Sequence, residues 1–163
     1  MPEEPTQITV KRLGDYLDVL TQAVFQSGIS WKVVQAKWPG TREAFGGFVP
    51  EKVADLTPAD VDALVADTRL IRNRRKIEAT VQNAETMLAV EAEFGGFRLY
   101  LRSFSDYDAL QADLVQRFKF LGPMGAYWFL YVVKEEVPPH EEWEATYKPG
   151  GPPKARKGKE GRS

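Results

Sequence analysis

The residues most suited to chemistry in this chain form one short run, Leu121-Gly122-Pro123-Met124-Gly125-Ala126. A turn of small residues lets backbone come close to a phosphate, and the N–H groups that open the following helix, aided by its dipole, bind anionic oxygens. Pro123 costs little near that start, because its missing N–H would have no intrahelical partner anyway. Taken alone, Gly-x-x-Gly is more often an ordinary turn between helices, so its surroundings decide. A second group is Arg69, Arg72, Arg74, Arg75 and Lys76 at the expected start of a long helix. Cations there run against the helix dipole, which favours a second contact with nucleic-acid backbone, the alternative being a solvated face. A third group is aromatic: Trp31 and Trp38, with Tyr16 and Phe25 close in sequence. Such rings either fill a core or give an extruded base a plane to stack on, and spacing alone leaves both open. His140 is the single histidine and there is no cysteine, so disulfides, thiol catalysis and Cys-based metal sites are excluded and neither metal nor cofactor is expected.

The elements that must position these groups follow from periodicity. With 163 residues, 43% apolar and 12% aromatic, the chain has material for one core. No apolar run approaches the ~18 residues needed to cross a bilayer, and the first residues lack a secretory pattern, so a cytoplasmic monomer is expected. Leu13, Tyr16, Leu17, Leu20 and Val24 share one helical face, stopped by Gly28. Ser30 caps a short helix that Pro39 ends, and Thr41 caps another turn. Pro50 and Pro58 each open a short helix. An amphipathic stretch from Thr68 to about Val90 reads as the central helix. Phe97 to Phe104 is a short aromatic helix, Ser105 with Asp108 an approximate capping box, and Tyr127 to Val133 a buried helix. No strand is evident. The fold class is all-α, a compact helical bundle with a helix-hairpin-helix motif at residues 13–137, preceded by an extension over 1–12. Residues 138–163 form a Pro/Gly/Lys-rich basic tail, expected to be disordered and open to non-specific attraction to phosphates.

Set out in order, these segments resemble the DNA-3-methyladenine glycosylase I family of the helix-hairpin-helix glycosylase superfamily. The resemblance rests on Gln26-Ser27-Gly28-Ile29-Ser30-Trp31, on Arg42-Glu43-Ala44-Phe45 with Gly47 to Ala54, and on Leu70-Ile71-Arg72-Asn73-Arg74-Arg75-Lys76-Ile77-Glu78 with Asn83-Ala84. It continues through Glu93-Phe94-Gly95, Tyr100 to Phe104, and Arg117-Phe118-Lys119-Phe120-Leu121-Gly122-Pro123 with Tyr127. It implies hydrolysis of the N-glycosidic bond of 3-methyladenine in double-stranded DNA. Such a base is cationic and a good leaving group, so extrusion, stacking and a polar contact matter more than strong acid catalysis. By position Trp31, with Tyr16, would bind the base. Gly28-Ile29 would press into DNA beside the lesion, and Leu121, Gly122, Met124 and Gly125 would hold its backbone, helped by Arg72, Arg74, Lys76 and Lys119.

Two departures stand beside this. The family's base-reading glutamate falls on Ala23, leaving Gln22 as the nearest polar substitute, and no carboxylate lies between Val19 and Trp31. The family's N-terminal zinc-ligand segment also has no counterpart here. An active glycosylase with a modified pocket, with Gln22 or a carboxylate among Glu135, Glu136, Glu141 and Glu142 in the polar role, is therefore one expectation. A degenerate relative that keeps only DNA binding is another, and a helical interaction module without a DNA role is the third.

Overall fold

The computed structural model describes residues 5–141. Among them are eight helices and no strand, so the all-α expectation holds. The basic tail lies almost entirely outside the described residues.

Helix α1 (Leu13–Gln26) runs through the core, with Leu17, Leu20 and Val24 fully buried. The Asp15 carboxylate accepts from the backbone N–H groups of Lys11 and Arg12, which fixes the helix start. Gly28, at φ +77°, then turns the chain in a conformation that favours glycine. Helix α2 (Trp31–Ala44) is capped by Ser30, whose Oγ accepts from Lys32 N at 3.1 Å. It differs from the expected pair of short helices. Pro39 sits inside it on the exposed side, costing one backbone bond without breaking the helix. Thr41, expected to cap, instead donates to Lys37 O one turn back.

Helices α3 (Pro50–Ala54) and α4 (Pro58–Ala66) begin at their prolines as predicted. The central helix α5 (Arg74–Phe94) starts six residues later than its apolar pattern suggested, because Asn73 accepts from Lys76 N and caps it. Arg69 and Arg72 therefore lie in the connection before it. Helix α6 (Phe97–Leu101) is followed by α7 (Tyr107–Arg117), whose cap is Asp106 accepting from Ala109 N rather than Ser105. Helix α8 (Pro123–Val132) begins at Pro123, so Met124 and Gly125 belong to its first turn.

Helix α1 packs against α8, α2 and α5, and α5 also carries α3, α4 and α6. The segment before α1 joins this assembly. Ile8 N donates to Val132 O at 2.8 Å, the Gln7 amide donates to Tyr131 O, and Lys134 Nζ donates to Thr9 Oγ1. No helix among the described residues is long and apolar enough to cross a membrane.

Gly14 sets how closely α1 meets the α2–α3 connection. A Cβ there would lie 2.6 Å from Phe48 O, a backbone atom that cannot rotate away. Gly14→Ala is expected to cost about 1–3 kcal/mol by overpacking, read as a lower urea midpoint at unchanged m-value.

Candidate functional site

Two helical stripes face one cleft of about 350 Å³. Helix α1 contributes Asp15, Asp18 and Gln22, and α2 contributes Trp31, Gln35 and Arg42, each set at the spacing that puts residues on one helix face. Trp128 of α8 and the segment around Ile8 close the remaining sides. Trp31 is 39% exposed, a large apolar ring left on the surface where it lines a cavity. The polar floor is an ordered network. Asp18 accepts from Trp38 Nε1 at 2.7 Å, from Gln22 Nε2 at 3.0 Å and from Arg42 Nε at 2.7 Å. Gln22 Oε1 in turn accepts from Gln35 Nε2 at 2.9 Å.

The structure sets Trp31 and Gln22 on one cleft, with Asp18 and Trp128 beside them. Asp18 lies one residue before the stretch from Val19 to Trp31 that lacks a carboxylate, and its signal in the sequence is the i, i+4 spacing to Gln22. Trp128 was masked by a helix that reads as apolar on nearly all sides. Tyr16 is corrected: one position past Asp15, it points into the core and packs on Phe97 and Phe129, away from the cleft. Trp38 is also core, stacked on Phe48 at 5.7 Å, with only its indole N–H reaching Asp18. Ala23, at the resemblance's glutamate position, is buried, and a Cβ on Gly125 would sit 3.6 Å from its own. Ala23 thus lies on the face of α1 that meets the first turn of α8.

Two surface turns flank the site, and α5 holds both. Lys76 is buried, 4% exposed, and its ammonium donates to the carbonyls of Phe25 and Ser27 at the end of α1. Its expected role as a DNA contact is replaced by this one, since burial turns the charge inward, where it meets the negative end of the α1 dipole. Desolvation pushes its pKa below the ordinary lysine value. Gly28 and the half-buried Ile29 follow directly. About two helical turns along α5, the buried Asn83 amide grips the Lys119 backbone twice, accepting from its N–H at 2.7 Å and donating to its carbonyl at 3.1 Å.

Beyond Lys119 the hairpin leaves the surface. Phe120 is 41% exposed and held at φ +58°, a left-handed conformation that costs a bulky residue of order 1 kcal/mol, with the Arg75 guanidinium over its ring at 5.5 Å. Leu121 is corrected in part: its side chain turns inward and is buried, so it anchors the hairpin from within. Gly122 has an extended backbone that any residue adopts, and Pro123 follows at the first helical position. The N–H groups of Met124 and Gly125 fall in the unpaired first turn of α8, and Met124 is 51% exposed.

The basic cluster divides. Arg69 pairs with Asp67, whose carboxyl it holds down at about 2, and with Glu43. Arg74 pairs with Asp62 at 2.7 Å instead of standing clear for DNA. Arg72 is exposed, and Arg75 covers the hairpin ring. A second cavity of about 710 Å³ lies between the α6–α7 connection and the chain after α8. Glu135 and Glu136 line that cavity and not the Trp31 cleft, with Glu135 held by Arg102 through two bonds of 3.0 and 3.1 Å. Glu141 is exposed, and Glu142 lies outside the described residues. The zinc implied by the resemblance does not fit this chain. It has no cysteine, and among the described residues no group of three or more His, Cys, Asp or Glu side chains is placed to hold a metal.

The methyladenine glycosylase family model matches residues 14–119. A DNA-3-methyladenine glycosylase of Haemophilus influenzae is 39% identical over 89 residues, covering 55% of this chain and 48% of that protein. The chain thus spans about half the length of that relative. DNA-3-methyladenine glycosylase 1 of Escherichia coli is 33% identical, with 64% of this chain and 67% of that protein covered. Among solved structures, 3-methyladenine DNA glycosylase I from Staphylococcus aureus superposes with a TM-score of 0.70 at 29% identity, covering 78% of this chain and 79% of the other.

Lys76→Met leaves the Phe25 and Ser27 carbonyls without their buried donor, and Asn83→Leu does the same to both Lys119 backbone groups. Each is expected to cost about 1–3 kcal/mol in urea denaturation. Arg69→Ala, which removes only exposed ion pairs, should stay within about 0.5 kcal/mol.

Proposed function

The chain belongs to the methyladenine glycosylase family, and from that premise we propose that it removes 3-methyladenine from double-stranded DNA by hydrolysing the N-glycosidic bond, as a cytoplasmic monomer. The observation that carries this reading is the cleft itself: an exposed tryptophan, Trp31, beside a hydrogen-bonded network of Asp18, Gln22 and Gln35. A methylated adenine is cationic and leaves readily, so the protein's work is to extrude it, stack it and hold its polar edge. Trp31 and Trp128 offer the aromatic surface. The Gly28-Ile29 turn presses into the duplex beside the lesion in this reading. The first-turn N–H groups of α8 hold a phosphate, with Lys119, Arg72 and Arg75 as the cations around it.

A second reading, a relative that binds DNA without catalysis, is favoured by one observation: a buried alanine, Ala23, stands where the resemblance places a glutamate. Release of free 3-methyladenine from methylated DNA, followed by chromatography, separates the two. The glycosylase reading predicts release above the no-enzyme rate and a loss of about 10- to 100-fold in Trp31→Ala, the worth of stacking one base. No release alongside salt-sensitive DNA binding would leave the second reading.

The grip has its own test. Replacing Arg72 or Arg75 by Ala should weaken binding to any duplex and lower the slope of log affinity against log salt by about 1 for each phosphate no longer neutralised. An unchanged slope would remove that cation from the interface.

A further inference from the structure

The Gln22 amide is held at both ends. Its nitrogen faces Asp18 Oδ1 at 3.0 Å, and its oxygen faces Gln35 Nε2 at 2.9 Å. A carboxylate only accepts, so the end toward Asp18 has to be the amino end, and the donor from Gln35 completes the assignment. Asp18 is itself immobilised by Trp38 and Arg42, each at 2.7 Å, with its side chain 17% exposed. Arg42 also offsets its charge, so Asp18 acts here as a fixed acceptor more than as a bare anion. One N–H and one oxygen lone pair of Gln22 remain beyond these bonds, on a residue that lines the same cleft as Trp31.

On the N1 edge a glutamine amide matches adenine bidentately, accepting from the 6-amino group and donating to N1, where a 6-oxo purine carries an N–H instead. In place of the 6-amino group a 6-oxo purine presents an acceptor. An amide free to rotate would flip and pair with either ring, whereas a pinned amide keeps its oxygen where the 6-amino group belongs. We infer that Gln22 reads the 6-amino edge of the extruded base, and that Asp18 and Gln35 are positioning residues that forbid the flip. The cleft then selects 3-methyladenine over 3-methylguanine in one stacking register. This deepens the glycosylase reading above and rests on it.

The test compares release of the two bases from methylated DNA, with binding of the free bases followed by tryptophan fluorescence as a parallel readout. Gln22→Leu should lower the preference for 3-methyladenine by about 10- to 100-fold, the discrimination of a bidentate pair. Asp18→Asn, whose amide can donate as well as accept, lets Gln22 turn over. It should move the ratio the same way, chiefly by raising 3-methylguanine, a change that simple loss of structure does not produce. A ratio unchanged in both variants overturns the inference while leaving the glycosylase reading intact. So does a proportional loss of both bases with a lowered thermal midpoint. If the unaltered protein releases neither base, the glycosylase reading fails. The free-base ratio then decides alone: a preference for 3-methyladenine that both variants erase sustains the role of Gln22, and no preference overturns it.

Discussion

The two turns that the proposed function sets against DNA depend on two buried polar anchors along α5. Lys76 places a cation against the carbonyl end of α1, and Asn83 pairs with both backbone groups of Lys119. Neither bond is strong in net terms, yet leaving its partners unpaired in the interior is expensive, so each turn has one low-energy position. With α5 as a common frame, the Gly28-Ile29 turn and the hairpin before α8 keep a fixed separation. A fixed separation is what the proposed grip on a lesion and its backbone requires.

The cleft arises from how α1 divides its faces. One face is buried against α8 and α5, and another turns Asp15, Asp18 and Gln22 outward, while α2 presents Trp31, Gln35 and Arg42 opposite. Ala23 is buried beside Gly125 of α8, and the polar groups of the cleft lie on the neighbouring stripe of α1. The polar groups there are an amide and the carboxylate that orients it. The N-terminal segment, hydrogen-bonded through Ile8 and Gln7 to the end of α8, closes the cleft.

Much of this was legible in the residues. Apolar periodicity and the prolines at positions 50 and 58 located the helices, and Gly28 marked the stop after the first one, where the structure holds it at φ +77°. Trp31 was singled out, and it lines the cleft. Pro39 misled because an exposed proline can remain within a helix when the surrounding packing outweighs one lost bond. Lys76 misled for a different reason: a run of cations looks uniform in sequence, and only tertiary burial tells which one turns inward. Tyr16 and Asp15 are adjacent, so a rotation of one residue about α1 decides which of them meets the core. Asp18, Trp128 and the Asn83 clamp depend on contacts between distant helices, which no local pattern encodes.

The most direct measurement is a crystal structure of the protein with a duplex carrying an abasic-site analogue and free 3-methyladenine. The expected result is the base in the cleft against Trp31, with its 6-amino group toward Gln22 Oε1, and a phosphate on the Met124 and Gly125 N–H groups. A base lodged instead in the cavity beside Glu135, or DNA seated on a face without the α8 hairpin, would contradict both the site and the grip.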